Sequence, residues 1–423
     1  MNNDKSRSLL RDRNFALLWS SQSLSLLGSQ ITFVAIPITA VIVLGATPME
    51  SGILGALERI PFLVFGLGVG VLVDRIARRP VLIVADAIRA LALAWIPLAF
   101  VAGLLTIWQL YAVALVVGTM TVFFDIAYQS YLPGLVGRDR LMEANSKLQM
   151  TESMAEVGGP GVAGTLIGLL SAPVVIVVDV ISYLTSTVAL LWMPADKPSR
   201  SSSESSVWVS LREGFAQVLQ RPVLRWCIAS TLMANLFFDA LTAVFFLFLV
   251  REANIAPGGV GLIVAVGSAG ALCGTFAVDR LTRALGVGPT LVLSTALPGV
   301  GTILLALVHG NSPGAIVLAA AANFVSLIGW PMFNVTVISF RQAFTPDHLL
   351  GRVNATMRTI AWSALALGAL LGGALGSWLG LRETVIVAAG GLFVPMVILL
   401  ISPLRRVRRL EEVEDAENVV QPT

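Results

Sequence analysis

The chain has little charge and few of the side chains that build catalytic or metal sites. Only 13% of its 423 residues are charged, about half the fraction found in soluble domains, and 56% are hydrophobic. Its two histidines and two cysteines fit no metal-ligand spacing and no disulfide framework. Because soluble packing cannot bury so much apolar surface, this composition excludes a soluble domain and indicates a chain that lies in a membrane. We expect no enzyme activity, no metal and no cofactor.

Lysine is also scarce, and its positions exclude a nucleotide-driven machine. None of the three lysines, Lys5, Lys147 and Lys197, follows a glycine-rich phosphate loop. The net charge of +3 and the pI of 9.1 come from basic residues in the connections between apolar stretches. Such residues set membrane topology, so we expect no nucleic-acid partner.

What the chain does have is about twelve apolar stretches, each close to the length of about 20 residues that crosses a bilayer as a helix. Of its 28 basic residues, 24 lie in the even-numbered connections or the two tails. The odd-numbered connections hold only Arg251 and Arg382, and Arg59 and Arg89 lie inside stretches. Basic connections stay cytoplasmic, so we predict a multi-pass protein of the inner (plasma) membrane with both termini in the cytoplasm.

The two halves of the sequence repeat. Phe124-Asp125 matches Phe333-Asn334 at a shift of 209 residues, and Gly159 matches Gly368 at the same shift. This predicts an all-α integral membrane fold of twelve transmembrane helices in two pseudo-symmetric six-helix bundles. The bundles span residues 1–193 and 223–402, with a cytoplasmic linker at 194–222 and a tail at 403–423. Transporters built from repeats bind substrate near mid-membrane, between the repeats.

Polar side chains recur at helical spacing in spans 1, 4, 7 and 10. The cavity candidates on these spans, including neighbouring apolar and aromatic residues, are Gln22, Ser25, Ser29, Thr32, Phe33, Met120, Thr121, Phe124, Asn235, Phe238, Asn323, Ser326, Trp330 and Asn334. Spacings of three and four place each set on one helix face. Two interpretations stay open for any one of the polar residues: it lines a solvated substrate cavity, or it makes an ordinary hydrogen bond between helices.

Glycines recur in the same way in spans 2, 5, 8 and 11. The set is Gly66, Gly161, Gly164, Gly270, Gly274, Gly368, Gly372 and Gly376. Small residues four apart allow helices to approach closely. They predict either tight static packing or a smooth surface between the bundles, on which the two halves rock.

The stretch from Gly70 to Arg79, with Asp74, Arg75 and Arg78, resembles the signature between spans 2 and 3 of the major facilitator superfamily. A weaker copy occurs at Asp279, Arg280 and Arg283. The stretches Tyr131–Ser146 and Arg341–Arg358 are similar to the twelve-span branch of that family, which holds macrolide-efflux proteins and siderophore exporters. The resemblance implies the fold predicted above and a cytoplasmic latch, in which Arg75, Arg78 or Arg79 pairs with Asp125.

Four acids inside the spans are candidates for proton coupling: Asp239, Glu156, Glu152 and Glu58. A carboxylate at mid-bilayer costs around 3 kcal/mol, so it has a partner or a task. Burial disfavours its charged form, which allows it to load a proton on one side of the membrane and release it on the other. Asp239 is the first choice because it lies near mid-span. A purely structural, hydrogen-bonded acid is the alternative.

The sequence therefore predicts a secondary transporter. Its expected partners are a small-molecule substrate, protons and the lipid bilayer. We expect a monomer that exports amphipathic or hydrophobic compounds in exchange for protons. Three alternatives stay open: a dedicated exporter of one natural product such as a siderophore, a transport-inactive receptor or sensor, and an uptake carrier.

Overall fold

The computed structural model describes residues 9–65, 76–137, 140–194, 220–345 and 347–408, together with the single residues 69, 73 and 216. These residues form helices joined by short connections, with no strand among them. The twelve long helices are α1 (Arg13–Val43), α2 (Pro48–Phe65), α3 (Arg78–Val101), α4 (Ile107–Val136), α5 (Leu141–Leu169), α6 (Ala172–Leu191), α7 (Pro222–Glu252), α8 (Pro257–Leu285), α9 (Val287–Ala306), α10 (Pro313–Phe344), α11 (Asp347–Trp378) and α12 (Leu381–Ile401). The predicted all-helical architecture is confirmed.

Ten helices within the described residues are long and apolar enough to cross a membrane. The other two, α2 and α5, carry more charge. In α2 the charged residues are Glu50, Glu58 and Arg59. In α5 they include Glu143, Lys147, Glu152 and Glu156. Charge inside a spanning helix is costly in lipid, so these two helices have the strongest need for polar neighbours.

The helix ends show how closely the two halves repeat. Helices α1 and α7 begin at Arg13 and Pro222, α2 and α8 at Pro48 and Pro257, and α3 and α9 at Arg78 and Val287, with each pair 209 positions apart. Both α1 and α7 end in a π-helical turn of five residues, Thr39–Val43 and Phe248–Glu252. Each π-helical turn is followed by a residue with a positive φ angle, Gly45 in one half and Asn254 in the other, again 209 positions apart. The repeat thus preserves backbone irregularities as well as helices.

Contacts group the helices into two units. The first contains α1, α3 to α6 and the end of α2 from Pro61, and the second contains residues Gly45–Ile60 and α7 to α12. In the first unit α1 packs on α5 and α6, and α3 packs on α4 and α6. In the second unit the equivalent pairs form: α7 packs on α11 and α12, and α9 packs on α10 and α12. The repeat alone does not predict that the first part of α2 contacts the second unit.

The glycine ridges of the second unit sit where helices of that unit meet. A Cβ atom at Gly270 or Gly274 of α8 would collide with the backbone of Phe324 or Ile328 in α10. A Cβ at Gly368 or Gly372 of α11 would collide with the backbone of Leu236 or Ala240 in α7, and one at Gly376 would press on Pro48 and Val244. At each of these glycines, a neighbouring helix occupies the space that a side chain would need. The glycines therefore allow tight packing between helices. In α5, Gly164 is buried and Gly161 is half-buried, and Gly66 lies outside the described residues.

Candidate functional site

An ion pair inside the second unit joins α2 to α7. The Arg59 guanidinium donates from Nη2 to Oδ1 of Asp239 at 2.7 Å. The Asp239 side chain is 1% exposed and that of Arg59 is 15% exposed. An isolated carboxylate at this depth would be strongly disfavoured, so the arginine is the group that allows Asp239 to carry its charge.

The rest of the guanidinium stays close to its own helix. Arg59 Nη1 donates to the Gly55 carbonyl oxygen at 3.0 Å and lies 3.5 Å from Oε2 of Glu58. Glu58 is 35% exposed, so Arg59 stands between a buried carboxylate and a partly exposed one. The second oxygen of Asp239, Oδ2, is buried and has no hydrogen-bond partner among the described residues. The site thus contains an arginine with two competing acids and a carboxylate oxygen with unused capacity.

The first part of α2 can reach α7 because it packs closely on α11. A Cβ at Gly52 would lie 2.5 Å from the Ala369 carbonyl oxygen and 2.8 Å from Cα of Gly373. Only glycine at both positions permits this approach. The contact places the turn that holds Glu58 and Arg59 beside the second unit.

Of the four acids considered for coupling, only Asp239 is fully buried. Glu156 is exposed on α5, and Glu152 is half-buried and accepts a hydrogen bond from Gln149 at 3.1 Å. Helix α5 turns its alanine and glycine face toward α1, where Gly159 meets Gln30, and this leaves both glutamates on other faces. Neither glutamate is fully buried, and a role for them in proton coupling stays a prediction.

Two aromatic cavity candidates meet in the second unit. Phe238 of α7 and Trp330 of α10 stack with their ring centroids 4.2 Å apart and their planes 20° from parallel. Neither ring is fully buried. They form a flat apolar surface of the kind that binds rings and hydrocarbon chains.

The polar candidates of the second unit hold helices together. Asn235 donates from Nδ2 to the Ala361 carbonyl oxygen at 3.1 Å, and Asn323 donates to the Ile263 carbonyl oxygen at 3.1 Å. Ser326 lies 3.5 Å from the Pro298 carbonyl oxygen. Asn334 is exposed on α10. The first three thus satisfy backbone carbonyls of α11, α8 and α9, whatever part they take in substrate binding.

The polar stripe of α1 faces α6 within the first unit. Gln22 donates to Ser186 at 3.4 Å, and the Ser29 hydroxyl lies 3.0 Å from the hydroxyl of Tyr183. Ser25 and Thr32 are buried on the same stripe. Among the other candidates, Phe33 is 45% exposed, Thr121 donates to the Val117 carbonyl oxygen of its own helix, and Met120 is half-buried.

A second group of buried charges lies in the first unit, and sequence reasoning found only part of it. Asp86 and Arg89 of α3, which lie three residues apart on one helix face, form an ion pair, and both are buried. The Arg89 guanidinium carbon lies 4.3 Å from the ring centroids of both Phe124 and Tyr183, so two rings sandwich the cation. Asp179 of α6 lies nearby and interacts electrostatically with Arg89. Its signal in the sequence is a single acid within an otherwise apolar span.

Helices α1 and α5 also enclose a groove of about 580 Å³ in the first unit. Its lining is mainly apolar and consists of Leu10, Trp19, Ser23, Leu27, Lys147, Met150, Thr151, Met154 and Ala155. The Trp19 indole donates to the Thr151 hydroxyl at 3.0 Å, which fixes the ring at the groove wall. Met150 and Met154 are 66% and 64% exposed. In the sequence these helix faces can be recognised because their residues recur every four positions, at 19, 23 and 27 in α1 and at 150 and 154 in α5.

The predicted cytoplasmic latch is only partly within the described residues, because Gly70, Asp74 and Arg75 lie outside them. Arg79 donates to the carbonyl oxygens of Leu190 and Leu191 at the end of α6, at 2.8 and 2.5 Å. Asp125 interacts electrostatically with Arg89. In the second copy, Asp279 and Arg283 help to line a cavity of about 260 Å³ at the end of α8, and Arg280 is exposed. Pairing of Asp125 with Arg75, Arg78 or Arg79 stays a prediction.

Comparisons with known proteins agree with this architecture. The sequence profile described as "Major Facilitator Superfamily" matches residues 18–367. The chain is 28% identical to multidrug efflux pump Tap of Mycolicibacterium fortuitum, over 91% of this chain and 94% of that protein. It is 22% identical to macrolide efflux protein A of Streptococcus pyogenes, over 94% and 97% of the two chains.

Further likenesses cover most of the chain as well. Enterobactin exporter EntS of Citrobacter koseri is 25% identical over 82% of both chains. Among solved structures, an inward-facing bacterial homologue of the iron transporter ferroportin matches with a TM-score of 0.72 at 17% identity, over 93% of this chain and 99% of that one. This last likeness concerns the fold alone.

Proposed function

Because the chain belongs to the major facilitator superfamily, we propose that it is a secondary transporter that exports amphipathic or hydrophobic small molecules in exchange for protons. Two relatives that are matched over nearly their whole length are named as a multidrug efflux pump and a macrolide efflux protein. Their names support transport out of the cell and a hydrophobic or amphipathic substrate. The observation that carries proton coupling is the buried ion pair between Arg59 and Asp239.

The ion pair provides a switch between two charge states. With Asp239 ionised, Arg59 holds it and ties α2 to α7. When Asp239 takes up a proton at Oδ2, the attraction to Arg59 is lost, and the guanidinium is left with Glu58 and the Gly55 carbonyl oxygen on its own helix. Two arrangements that differ by one proton are what coupling requires, because a ligand shifts a conformational equilibrium only if it favours one state.

The energy is sufficient for export. A potential of about 100 mV moves one charge with about 2.3 kcal/mol. At 1.4 kcal/mol per decade this supports a substrate gradient of roughly 40-fold.

Apolar and polarizable surfaces support a hydrophobic substrate. The stacked rings of Phe238 and Trp330 offer a flat face in the second unit, and the groove in the first unit offers Trp19, Met150 and Met154. Flexible methionine and flat rings adapt to ligands of different shape, which suits a multidrug substrate range.

Three alternatives make different predictions. A dedicated exporter, which the likeness to an enterobactin exporter favours, would protect cells against one compound rather than against unrelated drugs. A transport-inactive receptor would move no compound across liposomes. An uptake carrier would raise the content of a tested compound in cells rather than lower it.

The test is dye accumulation in cells that express the chain, with ethidium as the probe. We expect low ethidium fluorescence in expressing cells and a rise to the level of control cells after a protonophore is added. The variant Asp239→Asn should lose uphill export completely while its expression stays normal, and Glu383→Gln, which neutralises an exposed acid at the start of α12, should export like the wild type. Export that persists without a proton gradient, or in Asp239→Asn, contradicts the proposal.

A further inference from the structure

The first unit holds a second carboxyl group, Asp179, that the coupling scheme above does not use. Its side chain is 1% exposed. The Ser182 hydroxyl lies 2.9 Å from its Oδ1 atom, and Oδ2 has no hydrogen-bond partner among the described residues. The hydroxyl of Thr32 in α1 is buried beside this carboxyl and interacts with it, although no hydrogen bond of normal geometry forms among the described residues. A buried acid beside a hydroxyl can exist in both charge states, because the hydroxyl can donate to the carboxylate and accept from the protonated acid.

The charges around Asp179 do not balance. Among the residues that the structure describes, the charged groups that face it are Asp86 and Arg89 of α3, and Tyr183 of its own helix is a further titratable neighbour. No charged residue of α1 faces it among the described residues; α1 contributes Thr32 and the close backbone at Gly28, where a Cβ would lie 2.5 Å from Asp179 Oδ1. Arg89 is committed to Asp86 and to two rings, and it also interacts with Asp125. The single positive charge of Arg89 therefore faces more than one carboxylate. A proton on Asp179 would remove one of these negative charges and bring the group closer to neutrality.

A file of polar groups leads along the α1–α6 contact to this acid. Gln22 meets Ser186, Ser29 meets Tyr183 about two turns further along α1, and Thr32 faces Asp179 about one turn after that. Hydroxyl and amide groups both donate and accept hydrogen bonds, so a row of them can pass a proton. The polar stripe of α1 thus has a use other than substrate binding.

The second unit forms the same arrangement of helices without an equivalent of this cluster. At positions 209 residues later, the second unit has Thr295, Pro298 and Ala388 in place of Asp86, Arg89 and Asp179. The second unit packs the same helix pairs, α9 with α12 and α7 with α12, without these charges. A costly group present in only one of two equivalent bundles is better explained by a task than by architecture.

We propose that Asp179 is a second proton-binding site that adds one proton to each transport cycle, so that two protons are exchanged, while Asp239 stays obligatory because only its protonation releases Arg59. The carboxylate accepts a proton at Oδ2 from water, through the row of polar groups between α1 and α6. It releases the proton to water after the conformational change has opened the site to the other side of the membrane. No other bond forms or breaks. This inference rests on the proposed export function for its stoichiometry, but not for the titration of the carboxyl group itself.

The titration is tested without any substrate. Purified protein in liposomes is compared at acid and alkaline pH by infrared difference spectroscopy, which detects the carbonyl stretch of a protonated carboxyl group. We expect Asp239→Asn to lose one such band of the wild-type spectrum and Asp179→Asn to lose a different one. Thr32→Val should shift the Asp179 band and leave the Asp239 band unchanged. A spectrum that is the same in Asp179→Asn and the wild type overturns the proposal.

The stoichiometry is tested with ethidium in proteoliposomes whose membrane potential is clamped at zero. At a proton gradient of one pH unit, two protons per dye support a gradient of about 100-fold, and one proton supports about tenfold. We expect Asp179→Asn to lower the wild-type gradient about tenfold, and replacement of sodium by an organic cation to change nothing. A gradient that is unchanged in Asp179→Asn, or one that depends on sodium through Asp179, overturns the second proton site. A wild type that builds no dye gradient instead contradicts the export function, while the infrared result stands.

Discussion

At the scale of single residues, Arg59 and Asp239 form a pair whose members depend on each other. Removing one partner of a buried ion pair leaves an uncompensated charge and costs about 3–5 kcal/mol, whereas removing both is often nearly neutral. We therefore expect Arg59→Gln and Asp239→Asn each to lower the thermal unfolding temperature in detergent. The double variant should recover much of that loss, yet it should still fail to export ethidium uphill. Additive losses of stability would show that the two side chains do not interact.

The same residues show how far sequence reasoning reaches. An acid in an apolar span is visible in the sequence, so Asp239 was predictable as a coupling candidate. Its partner was not, because Arg59 is 180 positions away and periodicity within a helix carries no information about contacts between helices. Asp179 is visible in the sequence in the same way, as an acid in a span, but its neighbours on other helices, Arg89 and Thr32, are not.

At the scale of helices, glycine positions determine how closely pairs pack. A Cβ at Gly372 would lie 2.7 Å from Cα of Ala240, whereas a Cβ at Gly390 would meet nothing within 4 Å. Both lie inside helices, where alanine is favoured over glycine by roughly 1 kcal/mol. We expect Gly372→Ala to lower the unfolding temperature because α7 and α11 must separate, and Gly390→Ala to leave it unchanged or raise it. Equal behaviour of the two variants would contradict tight packing at Gly372.

Helix positions were largely predictable, but the neighbour that each helix face contacts was not. The repeat at 209 residues was readable from Phe124 onward, and the structure extends it to the π-helical turns and to the starts of α1, α2 and α3. The polar stripe of α1 was read correctly as one face. Which neighbour it meets, α6 in this case, depends on the rotation of the helix in its bundle, and that rotation is set by packing against several partners at once.

At the scale of the whole molecule, the distribution of arginine and lysine predicts topology. Basic residues lie in alternate connections and in both tails, so both termini should face the cytoplasm. In a variant with Cys227 and Cys273 replaced by serine, single cysteines at Asn3, His309 and Thr423 can be tested with a membrane-impermeant maleimide. We expect only His309→Cys, in the exposed connection between α9 and α10, to react in intact cells. The cysteines at Asn3 and Thr423 should react only after the membrane is permeabilised. If one terminus reacts in intact cells and the other does not, the number of crossings is odd. Two equivalent six-helix bundles require an even number of crossings, so the proposed exchange of protons and substrate by two such bundles would then be wrong.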